Sequence, residues 1–255
     1  MFEVTASQLD AWLAAYFYPF VRIAALATSA PIFSHRSVPR AVRLALALLV
    51  TLIVAPTLPP AALVSPFSAP GIVLLLQQIV IGVAIGFMMQ IVFAAADLAG
   101  EVIGLQMGLS FGTFVDPRTA DPVPIVGSFL SLTMMLVFLA LNGHLMLLSG
   151  LVGTFDSFPV SGLKAVGALD ARLVALAGRE LFSLGVSLAL PVIGAMLLAN
   201  LALGVLTRTA PQLNLFAVGF PVTLATGLAM LALALPFIVP AMESALLRAL
   251  GTIVR

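Results

Sequence analysis

The sequence predicts an all-α integral membrane protein of multispanning hydrophobic helices, with broken and kinked helical hairpins. Hydrophobic residues make up 62% of the 255 residues and charged residues only 8%, against roughly 45–50% and about 25% in soluble domains. Six apolar stretches reach the approximately 20 residues that a helix needs to cross a bilayer core. So few polar side chains cannot cover the surface of a soluble protein of this size. Most of the surface of this chain must therefore lie against lipid or other apolar protein.

The apolar stretches follow one another along the whole chain. They lie at approximately 11–33, 41–64, 71–96, 123–150, 180–206 and 216–241. Polar segments at 34–40, 97–122 and 154–179 and a short link at 207–215 separate them. The last fifteen residues mix charged side chains with leucine and isoleucine, which predicts an amphipathic helical tail.

Several prolines fall within or beside the apolar stretches. They are Pro19, Pro31, Pro56, Pro191, Pro236 and Pro240. Each removes a backbone donor and tends to kink its helix, and such breaks are tolerated in lipid where neighbouring protein satisfies the freed carbonyls. The prolines therefore favour helices packed against other chains.

The charged residues exclude some functions but do not predict how the helices are oriented across the membrane. The formal net charge is +1 and there is no cysteine, so we expect no nucleic-acid partner and no thiolate site. The first ten residues hold two acids and no base, so we expect the first apolar stretch to be a retained helix and not a signal peptide. The basic residues near the six stretches divide five against five, so the positive-inside rule predicts no topology.

A glycine stripe marks the segment after the third apolar stretch. Its members, four residues apart, are Gly100, Gly104, Gly108 and Gly112, and the spacing also occurs at Gly82 and Gly86. Small residues at this spacing let another helix backbone approach closely. The stripe therefore predicts tight helix packing.

The end of this segment is not explained by packing. Phe111, Phe114 and Val115 are apolar, yet they stand just before Asp116 and Pro117, which stop a helix. This predicts a flexible apolar loop at membrane depth. Irregular backbone at that depth is expected only where protein buries it or where it lines a cavity.

The same segment matches a hydrolase motif by accident. Gly108, Ser110 and Gly112 form a G-x-S-x-G pattern, which requires a preceding strand that the sequence does not predict. His35 and His144 have no obvious acidic partner nearby, and they are too far apart for an H-E-x-x-H zinc motif. We predict no catalytic, metal or cofactor site.

Arg22 lies near the middle of the first apolar stretch. A charge at that depth costs about 2.5–3.5 kcal/mol on insertion scales, so it needs a partner. Asp97, Glu101 or a carboxylate on another subunit could supply one. An inter-helix salt bridge and an ion or proton pathway both remain open, although the apolar stretches contain almost none of the acids a proton-driven carrier needs.

Three segments carry a resemblance to a known family. They are Gly100–Pro117, which reads GEVIGLQMGLSFGTFVDP, Leu206–Pro221 with Gly227 after it, and Arg22–Leu44 with its Ala-Pro-Ile-Phe and Val-Pro-Arg runs. Together they resemble the FliR family of the flagellar type III export gate, which is related to the injectisome SctT family. The Asp116-Pro117 ending favours the flagellar branch.

The resemblance implies a non-enzymatic subunit of a gate complex in the bacterial inner membrane, at the flagellar basal body. FliP and FliQ would be its partners in that hetero-oligomer, FlhB and FlhA further partners, and unfolded flagellar substrates its cargo. It also implies one FliR-like domain over 1–255, with a FliP-like part at 1–179 and a FliQ-like helical hairpin at 180–255. The alternative is a self-contained small-solute transporter or channel, which predicts intramembrane acids and an inverted repeat that the sequence lacks.

In the family, the loop at the end of the glycine-rich segment plugs the resting channel. Here the plug would fall on 108–122. Its gating residues would be Gly108, Ser110, Phe111, Gly112, Phe114, Val115, Asp116 and Pro117. Gly112 departs from the alanine we expect and should loosen the loop. Arg208, Gln212 and Asn214 would be polar contacts between subunits or, alternatively, caps of the helix ends.

Overall fold

The computed structural model describes residues 6–58, 64–66, 68–109, 124–159, 171–209 and 215–254, and most of these residues are helical. The helices are α1 (Ala6–Ser29), α2 (Arg40–Val54), α3 (Ala69–Gln106), α4 (Ile125–Ala140), α5 (Gly143–Ser157), α6 (Ala171–Thr209) and α7 (Leu215–Val254). A 3₁₀ turn at Ala55–Thr57 extends α2. No strand occurs in these ranges, and the predicted all-α class is confirmed.

Fewer helices could span a membrane than the sequence predicts. Within the described ranges, four are long and apolar enough: Arg40–Thr57, Ala69–Gln106, Gly178–Thr209 and Val218–Ile253. The bent pair α4 and α5 makes a fifth if it counts as one span. The predicted stretch at 11–33 is not among them, because α1 carries Arg22, two tyrosines and Pro19 among its apolar residues.

Three predicted boundaries differ from the structure. Helix α3 continues ten residues beyond the apolar stretch that ends at 96, and α7 continues to Val254 through Pro236 and Pro240, so the predicted helical tail is the end of this helix. The stretch at 123–150 is two helices, because Asn142 has a φ of 54° and ends the right-handed path.

The chain divides into two compact units. The first comprises Met1–Gln90, Asn142–Leu176 and Leu247–Arg255, and the second comprises Ile91–Leu141 and Ala177–Leu246. Tyr18, Leu74 and Phe155 pack in the core of the first unit. Phe93 and Phe138 meet edge to face in the second, with ring centroids 5.8 Å apart.

Candidate functional site

The segment that enters the predicted plug is held firmly in the second unit. Helix α3 ends at Gln106, and Met107 is completely buried. The Met107 sulfur lies 2.9 Å from the point where a Cβ on Gly227 would stand, so only a glycine in α7 leaves room for it. The Thr223 hydroxyl also faces the Met107 carbonyl oxygen at 3.5 Å.

Gly108 turns the chain away from the α3 axis immediately afterwards. Its φ is 79°, a left-handed conformation that glycine adopts without the steric cost a Cβ would impose. The chain therefore leaves the helix within two residues of its end.

The segment that leaves the predicted plug is also held in the second unit. Pro124 is extended, and its carbonyl oxygen accepts a hydrogen bond from the Ser128 amide at 2.8 Å, within the first turn of α4. Three residues into α4, Gly127 lies against Gly100 of α3, where a Cβ on Gly100 would collide with the Gly127 backbone. Both ends of the loop are thus attached to α3 or α7.

The glycine stripe is shorter as a helical feature than the sequence predicts. Gly100 and Gly104 lie in α3, whereas Gly108 follows the helix end in its left-handed conformation. Gly100 makes the predicted close approach, but a Cβ on Gly104 would meet nothing within 4 Å beyond its own helix. Gly82 and Gly86 face the α1 backbone near Leu26 and Ala30.

Most of the predicted plug residues lie outside the described residues. These are Ser110, Phe111, Gly112, Phe114, Val115, Asp116 and Pro117, and the predicted polar contacts Gln212 and Asn214 lie outside as well. The residues that precede the G-x-S-x-G pattern form helix α3, so the strand that a hydrolase requires before this motif is not there. In the part of the chain that is described, no three His, Cys, Asp or Glu side chains group as metal ligands.

Two predicted carboxylates lie one turn apart on the exposed face of α3. Asp97 and Glu101 are both exposed, and the Asp97 carboxylate accepts a hydrogen bond from the Ser131 side chain of α4. Arg208 is exposed in the last turn of α6. These three charged groups are accessible to partner chains.

Arg22 forms a buried polar contact in the first unit, joining α1 to α3 and α5. It is completely buried, and its Nε donates to Gln78 Oε1 at 2.7 Å. One terminal nitrogen donates to Thr154 Oγ1 at 3.0 Å and the other to the Phe158 carbonyl oxygen at 2.8 Å. The guanidinium carbon lies 3.8 Å from the centre of the Phe155 ring, a cation–π geometry.

The partners that the structure gives Arg22 are all neutral, so the expected carboxylate is not among them. A guanidinium can bind neutral acceptors and an aromatic face in place of an ion pair. Sequence reasoning missed Gln78, although two adjacent glutamines in an apolar stretch were a usable signal. Both are buried, and the Gln77 amide atoms and Gln78 Nε2 have no hydrogen-bond partner in the described residues.

These features define a class of protein: a helical membrane protein with long apolar helices, one bent helix pair, a buried arginine contact and close packing on both sides of residues 110–123. The family model for "Bacterial export proteins, family 1" matches residues 13–249. Flagellar biosynthetic protein FliR of Escherichia coli K12 is 46% identical over 243 residues, which are 95% of this chain and 92% of the relative.

Two further FliR proteins are similar over most of their length. The protein of Pectobacterium carotovorum is 46% identical over 91% of this chain and 88% of its own, and that of Bacillus subtilis 168 is 31% identical over 85% and 84%. The chain belongs to the FliR family of bacterial export proteins. It is a membrane component of the flagellar export apparatus.

Proposed function

We propose that this chain is a non-enzymatic core subunit of the flagellar type III export gate in the bacterial inner membrane. It forms with FliP and FliQ the channel through which unfolded flagellar substrates pass, and FlhB and FlhA act beside it. In this proposal, 1–179 is its FliP-like part and 180–255 its FliQ-like hairpin. The membership of the FliR family supports this assignment.

The observation that carries the gating part is the double attachment of the loop. Met107 under Gly227 holds one end, and the contact of Gly127 with Gly100 holds the other. In this proposal, the held flanking residues keep the plug in place while the gate is closed. The left-handed Gly108 then provides a flexible start from which the loop can be displaced.

Closure by this loop follows from its composition. Phe111, Phe114 and Val115 present only apolar surface, and an apolar constriction can close a channel by excluding water. No covalent chemistry or metal is required for such a gate. Arg208, Asp97 and Glu101 are exposed charged groups that would pair with partner subunits.

The test is deletion of residues 110–116 in cells that carry the complete export apparatus. We expect leakage of ions and small solutes through an assembled gate, measured as loss of membrane potential, because the seal is gone while both attachments remain. A seven-residue deletion at 162–168, within the polar segment at 154–179 of the sequence, is the matched control and should not leak. An unchanged membrane potential in the 110–116 variant, with the complex intact, would refute the plug.

A further inference from the structure

A row of exposed side chains follows one side of α2. Arg40, Leu44, Leu48 and Leu52 are spaced four residues apart, so they lie on one ridge of the helix. The leucines are 52%, 52% and 53% exposed, and Arg40 is exposed too. We call these four residues the α2 ridge; it has a cationic end and an apolar body.

The cationic end of the ridge is held in position by the turn before it. Arg43 donates hydrogen bonds to the carbonyl oxygens of Ser34 at 3.0 Å and His35 at 2.7 Å, which fixes the turn between α1 and α2. The exposed Arg36 and Arg40 side chains have no hydrogen-bond or ion-pair partner among the described residues. Their charge is therefore free to attract an anion.

The surrounding sequence provides no anion. Residues 11–96 contain four arginines and no aspartate or glutamate. The helix that bears the ridge is one of the four long and apolar enough to span a membrane. Among the described residues no carboxylate pairs with Arg36 or Arg40, and an anionic lipid beside a membrane helix is a chemically suitable partner for them.

The apolar body of the ridge leads into an open groove of about 420 Å³ between α1 and α2. The groove is lined by Trp12, Tyr16, Phe17, Phe20, Leu48, Thr51 and Leu52. The one aliphatic hydroxyl in it, on Thr51, donates to the Ala47 carbonyl of its own helix at 2.6 Å. The groove consequently offers almost only apolar surface.

The distance from the cationic end to the groove matches a lipid tail. Arg40 and Leu52 are twelve residues apart, which corresponds to about 18 Å along a helix. One leaflet contributes about 15 Å, half of the roughly 30 Å hydrocarbon core. An acyl chain anchored at Arg40 therefore reaches the groove.

We propose that this surface binds one anionic phospholipid, with its phosphate at Arg36 and Arg40 and an acyl chain along the α2 ridge into the groove. Arginines next to a membrane helix attract anionic headgroups, and a guanidinium binds a phosphate through two parallel hydrogen bonds. The aromatic side chains of α1 cover the tail. The proposal requires α2 to face lipid, and it is independent of the plug.

The headgroup is tested by native mass spectrometry of the full chain, extracted with its assembly partners, stripped of lipid and titrated with phosphatidylglycerol or with phosphatidylcholine of the same acyl chains. We expect phosphatidylglycerol to bind preferentially. The double variant Arg36→Gln/Arg40→Gln should bind it about 30-fold more weakly, since each such arginine contributes about fivefold. Arg179→Gln, an exposed arginine beside Glu180 in α6, is the control and should bind like the wild type.

The tail is tested in the same titration. Leu48→Gln/Leu52→Gln should weaken binding of the long-chain lipid, and Leu190→Gln/Leu197→Gln, a pair of similar exposure on α6, should not. Soluble glycerol phosphate should bind far more weakly than the lipid, because it lacks the acyl chain.

Three results would overturn the proposal. They are equal binding of the two lipids by the wild type, equal loss in the control variants, and loss of partner subunits without loss of lipid in Arg36→Gln/Arg40→Gln. The last would assign the arginines to a protein interface. If the chain is extracted without FliP or FliQ, the gate proposal fails, but lipid binding by the chain can still be titrated. The two proposals can therefore fail separately.

Discussion

Arg22 shows how a single buried charge organises the first unit. Its guanidinium spans α1, α3 and α5 through Gln78, Thr154 and the Phe158 carbonyl. A hydrogen bond to a charged donor contributes about 1.5–3 kcal/mol, more than a neutral pair. The contact joins three helices of the first unit, and no acid is among the partners of Arg22 in the described residues.

A substitution at Gln78 tests whether Arg22 would be more stable beside a carboxylate than beside the neutral amide. Gln78→Glu replaces the unpartnered Nε2 with an oxygen that can accept a second Arg22 hydrogen bond, so we expect a melting temperature in detergent at or above that of the wild type. Gln78→Leu leaves the Arg22 Nε without an acceptor and should cost about 1–3 kcal/mol. If the glutamate variant melted as early as the leucine variant, a neutral environment for Arg22 would be the structural requirement.

The packing of α3 on α4 includes one very close backbone contact. A Cβ on Gly100 would stand 2.7 Å from the Val126 carbonyl carbon and closer still to the Gly127 backbone. Backbone cannot move aside as a flexible side chain can, so the two helices would have to separate.

This contact yields a matched pair of variants on one helix. Gly100→Ala should destabilise by about 1–3 kcal/mol, the usual cost of overpacking. Gly104→Ala, one turn later with open space around it, should be neutral or stabilising by up to about 1 kcal/mol, because alanine is the better helix former. Thermal melting of both proteins decides the point, and equal destabilisation would show that the α3–α4 contact does not have this geometry.

Much of the exposed surface of the chain is apolar and has to be buried by lipid or by other proteins. Large hydrophobic side chains such as Leu198, Leu201 and Val205 of α6 and Leu233 and Phe237 of α7 are each about two-thirds exposed or more. Such surface is stable only against lipid or other apolar protein.

We therefore expect the chain to be found in an assembly. Native mass spectrometry after co-expression with its neighbouring membrane-protein genes should show one copy with several copies of two smaller hydrophobic proteins. A clean monomer or homodimer, formed although those proteins are present, would instead favour the small-solute transporter and make Arg22 the residue to examine.

The amino-acid sequence was sufficient for the helical membrane class and for the family, because composition, apolar length and the Gly100–Pro117 motif are local properties of the chain. It also located the close approach at Gly100. It did not predict that α3 would end at Gln106 or that the fourth stretch would break at Asn142, since each end depends on one backbone conformation.

The partners of Arg22 could not be read from the sequence, because Gln78 and Thr154 lie 56 and 132 residues away along the chain. The same holds for the Met107 contact with Gly227 and for the groove between α1 and α2. Composition and spacing decide which environment a segment requires. The contacts between side chains of different helices are set only when the helices pack. They depend on distances in three dimensions, which the order of residues along the chain does not give.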